Sequence, residues 1–159
     1  MAARRRLVAV CGESDPQTPL HQVAFEVGRG IAERGAALIC GGSTGVMEHA
    51  ARGARAAGGL TIGLLPGDDP AAANAYIEIA IATGLGQGRN PALVLSADGV
   101  IAIGGGYGTL SEIALALRSG RPAIGIRTWR FEREAQSEPA LPVAASAAEG
   151  VEWLFGRLR

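Results

Sequence analysis

The 159-residue chain is long enough for one domain with a buried core, and its 24 glycines are about twice the share usual in soluble domains. Fifteen basic and fifteen acidic residues cancel, which argues against a protein that holds nucleic acid by its phosphates. All the basic residues are arginines, so neither a pyridoxal-phosphate Schiff base nor a lysine nucleophile can form.

We expect a cytoplasmic protein that does not associate with a membrane. No signal peptide precedes the first predicted strand, and no apolar run reaches the ~20 residues that span a bilayer. Cys11 and Cys40 are too few for a disulfide framework and are expected as buried free thiols. Residues 1–5 are expected to form a flexible leader, with the Arg4–Arg6 run in solvent.

Short apolar runs alternate with helical stripes along the chain, which predicts an α/β fold. We expect residues 1–159 to form a single Rossmann-like domain, a mostly parallel sheet with helices on both faces. Strands are predicted at 7–11, 36–40, 60–65, 76–81, 99–103 and 123–126, with a short last strand at 141–144. Helices are predicted from Thr18 to Gly35, over 46–57, and from Asn90 to Ala97. Thr18 and Asn90 are expected as N-caps, with Pro19 and Pro91 at the first helical positions. A further helix is predicted after Gly108, with Leu110, Ile113, Ala114 and Leu117 on one face, and the last helix starts with a capping box at Ser146–Glu149.

Glycines follow the first, second and fifth predicted strands, at the sheet edge where ligands bind in such folds. Gly12 ends the first strand, and Gly41-Gly42-Ser43-Thr44-Gly45 follows the second. Glycine lets the backbone approach a phosphate, and a helix start supplies unpaired N–H groups. The alternative for this motif is a tight turn with no ligand.

The run Gly104-Gly105-Gly106-Tyr107-Gly108-Thr109 gives a stronger signal, because four glycines in five positions exceed what a turn needs. Glu112 follows it. Thr109 and Glu112 also have the spacing of a capping box, so a purely structural role for Glu112 stays open. Neither glycine run fits the dinucleotide fingerprint or the P-loop motif, so NAD binding and ATP hydrolysis are disfavoured.

Several polar residues lie on the same predicted loops. Arg89 precedes a helix and can pair with a phosphate or a carboxylate. Glu13, Asp15, Tyr107 and the Asp68–Asp69 pair can shape specificity, although most of them are expected in solvent. His21 and His49 have no partner at metal-ligand spacing, and no metal site is predicted. Trp129 and Phe131 lie in the 127–138 loop, and the sequence leaves open whether that loop covers the site.

Taken in order and spacing, four segments within residues 6–127 resemble the Lonely Guy superfamily: Gly41–Met47, Ala56–Gly59, Arg89 and Gly104–Glu112. That superfamily includes cytokinin-activating phosphoribohydrolases. Further segments are most similar to its short branch that contains the molybdenum cofactor carrier proteins: Gly45–Met47, Thr61–Gly67, Thr83–Gly86 and Glu112–Leu117. Two positions depart from the hydrolase motifs, since Gly104 stands where they have proline and Asn90 follows Arg89 where they often have lysine.

The resemblance implies two functions. The first is binding or carriage of a phosphorylated nucleotide- or pterin-like ligand, such as a nucleoside monophosphate or a molybdopterin-type compound, with no required cofactor. The second is hydrolysis of nucleoside 5′-monophosphates, with Arg89 and Glu112 as the catalytic pair. It also implies a homo-oligomer, a dimer or tetramer. The expected ligand-binding residues are Gly12, Gly41, Gly42, Ser43, Gly45, Gly104, Gly105, Gly106, Tyr107, Gly108 and Thr109.

Overall fold

The computed structural model describes residues 4–135 and 141–158. Its six strands are β1 (Leu7–Gly12), β2 (Ala37–Cys40), β3 (Thr61–Leu65), β4 (Ile79–Ala82), β5 (Gly99–Ile103) and β6 (Ala123–Ile126). Its α-helices are α1 (His21–Glu33), α2 (Val46–Ala56), α3 (Asn90–Ser96), α4 (Tyr107–Arg118) and α5 (Ala147–Phe155). Single 3₁₀ turns form at Pro70–Ala72 and Gly86–Arg89.

The strands form one parallel sheet in the order β4-β3-β2-β1-β5-β6. Helices α1, α2 and α5 pack on one face of the sheet, and α3 and α4 pack on the other. Strands buried on both faces need near-continuous apolar runs, as β5 and β6 have. The predicted α/β fold with helices on both faces is confirmed.

The chain winds outward from β1 through β2 and β3 to β4, and then returns to place β5 on the other side of β1. This reversal between β1 and β5 opens a crevice at the carboxyl ends of the strands, because the connections leave β1 and β5 in opposite directions. No helix in the described ranges 4–135 and 141–158 is long and apolar enough to cross a membrane.

Two strand predictions need correction. The fourth strand begins at Ile79 rather than at 76, because a turn at Asn74 holds the preceding backbone. The Asn74 side-chain oxygen accepts from the N–H of Tyr76 at 3.0 Å, and its carbonyl accepts from Ile77 at 3.2 Å. The strand predicted at 141–144 reduces to a single bridge between Val143 and Gly125.

Helix starts were predicted less accurately than strands. α1 begins at His21, and the Thr18 hydroxyl accepts from the N–H of Leu20, ahead of the helix, at 3.1 Å. Asn90 is the first residue of α3 and its side chain caps nothing, so its predicted capping role is wrong. The cap at Ser146 is confirmed, since its hydroxyl accepts from the Glu149 N–H at 3.2 Å.

The prediction of which α4 residues are buried is also partly wrong. Ile113 is buried, but Ala114 is exposed and Ala116 is buried in its place. The buried stripe of α4 continues toward its start through Thr109 and Glu112, two polar residues. Carboxylates are rarely buried unless they are paired or functional, so Glu112 is a candidate site residue.

Candidate functional site

A cleft opens between β1 and β5, where the strand order reverses. Its volume of about 520 Å³ is within the range of volumes of small-molecule sites. It draws residues from the carboxyl ends of β1, β2, β3 and β5. Its lining is formed by Gly12, Glu13, Ser14, Asp15, Ser43, Met47, Pro66, Gln87, Arg89, Gly106, Gly108, Thr109 and Glu112. A larger hollow of about 720 Å³ lies at the amino ends of β5 and β6, beside Asp98 and Arg121, and contains neither glycine motif.

One wall of the cleft is the glycine turn that joins β5 to α4. Gly104 and Gly105 have φ values of +56° and +96°, a backbone conformation that side chains rarely adopt. A β-carbon added at Gly105 would also lie 2.2 Å from Thr109 Oγ1. The glycines therefore allow the turn to lie against the first turn of α4, whose first N–H groups have no partner within the helix and can donate to an anion.

The capping-box alternative for Glu112 is wrong. α4 begins at Tyr107 with Gly106 as its N-cap, so Thr109 is already inside the helix. The Glu112 carboxylate lies in the second turn and cannot reach back to the cap.

The segment after β6 forms hydrogen bonds to the glycine turn. The Thr128 hydroxyl donates to the Gly104 carbonyl, and the Trp129 indole N–H donates to the Gly106 carbonyl at 3.0 Å. The Trp129 ring also contacts Tyr107, with ring centroids 5.7 Å apart. Trp129 is therefore a contact residue of the turn as well as a neighbour of the core. Residues 136–138 of the 127–138 loop lie outside the described residues.

The turn between β2 and α2 packs mainly against the protein itself. Gly45 has φ +70°, and a β-carbon there would lie 2.4 Å from the Glu13 carbonyl. That carbonyl accepts from the first N–H of α2, at Val46, over 2.9 Å. Of the Gly41–Gly45 run, Ser43 lines the cleft.

Arg89 is buried, with 5% of its surface exposed, and its guanidinium is fixed on several sides. Its Nε donates to the Leu64 carbonyl at 2.8 Å, and its Nη1 donates to the Asn90 side-chain oxygen. Nη2 lies against Gly41, where a β-carbon would be 2.5 Å away. Among the described residues Nη2 donates no hydrogen bond, so this nitrogen is available to a ligand in the cleft that Arg89 lines.

Asn90 is the residue that secures this arrangement. Its side-chain nitrogen donates to Ser111 at 3.0 Å and to Gln87 at 3.2 Å, so its oxygen is directed to Arg89. The departure from lysine at this position thus supplies an acceptor to the guanidinium and links α3 to α4.

Glu112 is the second buried charged group of the cleft, with 8% of its surface exposed. Burial raises the pKa of its carboxyl group, while the neighbouring Cys11 thiol and the Arg89 guanidinium act in the opposite direction. Burial likewise raises the pKa of Cys11, with Glu112 adding to the effect. A buried carboxyl with a raised pKa beside a fixed guanidinium can bind or move a proton.

Most of the predicted polar site residues converge. The cleft includes the predicted residues Gly12, Ser43, Arg89, Gly106, Gly108, Thr109 and Glu112. The remaining predicted residues shape the turns or stand at the rim: Gly41, Gly42, Gly45, Gly104, Gly105 and Tyr107, the last 81% exposed. Glu13 and Asp15 line the cleft, whereas Asp68, Asp69, His21 and His49 do not. Ser14, Met47, Pro66 and Gln87 also line the cleft and are not among the predicted site residues. Met47 and Pro66 lie within the resembling segments, but their residue types carry no chemistry that marks a site.

Comparison with known proteins supports the motif resemblance. A model of the SLOG cluster4 family matches residues 5–150. The structure of the molybdenum cofactor binding protein from Rippkaea orientalis is 38% identical, with a TM-score of 0.88, covering 99% of this chain and 100% of that one. The molybdenum cofactor carrier protein from Chlamydomonas reinhardtii is 34% identical, with a TM-score of 0.81 and 98% of both chains covered. The cytokinin riboside 5′-monophosphate phosphoribohydrolase of Mycobacterium tuberculosis is 32% identical over 75% of this chain and 68% of that protein.

Proposed function

The chain belongs to the SLOG cluster4 family within the Lonely Guy superfamily, and from that premise we propose that it binds a phosphorylated nucleotide- or pterin-like compound in the cleft. The observation that carries the proposal is the buried guanidinium of Arg89, fixed by Leu64 and Asn90 with one nitrogen left for a ligand. The start of α4 supplies a second group of donors for the same phosphate.

Binding without conversion is the preferred form of the proposal. Two relatives that match along nearly the whole of both chains are a molybdenum cofactor binding protein and a molybdenum cofactor carrier protein. Their ligand is a phosphorylated pterin, which is close in size to a nucleotide. A rigid arginine and a helix start hold such a phosphate without requiring any reaction.

A second candidate is hydrolysis of the N-glycosidic bond of a nucleoside 5′-monophosphate. The juxtaposition of Arg89 and Glu112 favours it, since these residues match the catalytic pair of the resembled hydrolases. In that reaction water adds its oxygen to the anomeric carbon as the bond to the base breaks. Glu112 would accept a proton from the water and stabilise positive charge on the ribosyl group. Arg89 would steady the phosphate or the departing base, which leaves with the bonding electrons and takes up a proton.

One experiment separates the two candidates. The purified protein is incubated with AMP or with GMP, and the nucleotide and its free base are followed by chromatography, with Glu112→Gln as the matched control. The carrier proposal predicts that both nucleotides are recovered intact from wild type and variant alike. Free base released by the wild type and not by the variant would overturn it in favour of hydrolysis.

A further inference from the structure

Glu13 presents an unused hydrogen-bond acceptor to the cleft. Its Oε1 accepts from the hydroxyl of Thr18, a residue that is only 2% exposed. The Thr18 backbone N–H is in turn held by the Asp15 carbonyl at 3.1 Å. Among the described residues Oε2 accepts no hydrogen bond, although Glu13 lines the cleft. The carboxylate is therefore fixed at one oxygen and available at the other.

Gly104 makes room for this carboxylate. A β-carbon at Gly104 would lie 3.2 Å from Glu13 Oε2 and 3.4 Å from its carboxyl carbon, and 2.6 Å from Leu20 Cδ1. The φ of +56° at Gly104 is also closed to proline, which is restricted to about −65°. The glycine that replaces the proline of the resembled hydrolases is thus coupled to the placement of Glu13.

Glu13 and Arg89 stand at different parts of the cleft. Arg89 contacts Gly41 and the Leu64 carbonyl, at the ends of β2 and β3. Glu13 Oε2 lies beside Gly104, between the ends of β1 and β5. Like charges repel, so the phosphate is favoured near Arg89, and the uncharged ring of the ligand is left for Glu13.

We propose that Glu13 selects the ring of the ligand by accepting hydrogen bonds from a 2-amino-4-oxopyrimidine edge, which guanine and pterin share. This edge carries a ring N–H beside an amino group, two donors that suit a carboxylate. Adenine carries a ring nitrogen acceptor beside its amino group, and it would place that acceptor against the carboxylate. The inference rests on the proposed function, since it assigns the ring in the same site.

The test compares ligands that differ at this edge. Calorimetry measures binding of GMP, AMP, a pterin monophosphate and ribose 5-phosphate to the wild type, Glu13→Gln and Asp68→Asn. Asp68→Asn makes the same change of charge on a loop outside the cleft. We expect the wild type and Asp68→Asn to prefer GMP or the pterin over AMP by about tenfold or more, as for a hydrogen bond to a charged group. Glu13→Gln is expected to reduce that preference to about threefold or less.

The outcomes separate the two proposals. Ribose 5-phosphate, which has no ring edge, is expected to bind the wild type and Glu13→Gln equally. Phosphorylated compounds that bind without preference for the shared edge, or a preference that survives in Glu13→Gln, would overturn the role of Glu13 alone. No binding of any phosphorylated compound would overturn it together with the proposed function. If the preference is confirmed, the relative affinities for GMP and the pterin monophosphate identify which of the two rings the site binds better.

Discussion

Replacing Arg89 by methionine tests the electrostatic arrangement of the cleft. Methionine has a similar length but no donors, so the Leu64 carbonyl and the Asn90 side-chain oxygen lose their partner. Each hydrogen bond to a charged group contributes about 1.5–3 kcal/mol, so two lost bonds cost about 3–6 kcal/mol. Against a typical total of about 5–15 kcal/mol, this is a large fraction of the stability of a domain.

Removal of Arg89 also affects stability through the neighbouring carboxylate of Glu112. Glu112 is buried, and without the guanidinium only the Cys11 thiol still stabilises its charge. Glu112→Gln introduced together with Arg89→Met removes that charge, so the double variant should be more stable than the sum of the single effects by about 1–3 kcal/mol. The exposed Arg130→Met serves as the control and should cost less than about 0.5 kcal/mol.

Urea unfolding followed by tryptophan fluorescence measures all four variants against the wild type. The reasoning is refuted if Arg89→Met costs no more than Arg130→Met. It is also refuted if Arg89→Met and Glu112→Gln have additive effects, because additivity would mean that the two groups do not interact.

Three further predictions concern the same cleft. Burial raises the pKa of Glu112 in the folded protein above its ordinary value of 4.5. The free energy of unfolding of the wild type, relative to that of Glu112→Gln, should therefore be greatest below pH 4.5 and decline as pH rises through the raised pKa. Urea unfolding between about pH 4 and pH 8 measures this difference. Thr128→Val and Trp129→Phe each remove one hydrogen bond to the glycine turn, and each should weaken calorimetric binding of a nucleoside monophosphate by about threefold to tenfold; unchanged affinity in both would exclude a positioning role. Gly45→Ala should lower the free energy of unfolding by about 1–3 kcal/mol, because Gly45 has a φ of +70° and backbone atoms lie close to it. Gly67→Ala is the control, since the space around Gly67 is open, and it should change the free energy of unfolding by less than about 0.5 kcal/mol in the same urea titrations.

Much of the fold could be predicted because local patterns and tertiary burial agree. The apolar runs at 99–103 and 123–126 coincide with β5 and β6, strands buried on both faces. β4 lies at the edge of the sheet with Ile79 and Ile81 half exposed, so its apolar pattern does not fix where it begins. There the turn at Asn74 decides the boundary, and the sequence alone does not reveal that competing set of hydrogen bonds.

The site could be predicted where a residue type carries the chemistry. Arg89 and Glu112 stand out as charged residues beside glycine turns, and the fold brings both into the cleft. Asn90 shows the limit, because its spacing fits a helix cap, yet its side chain is held by Ser111 on the neighbouring helix. Met47 and Gln87 reach the cleft through the packing of separate loops, and neither residue type signals a site.

The central claim is that the cleft binds a phosphorylated compound by its phosphate. Equilibrium dialysis with GMP, with a pterin monophosphate and with guanosine, followed by chromatography of the recovered compound, tests it most directly. The account predicts saturable binding of GMP, at least about tenfold weaker binding of guanosine, and GMP recovered unchanged. Equal affinity for GMP and guanosine, or no saturable binding of either GMP or the pterin monophosphate, would contradict it.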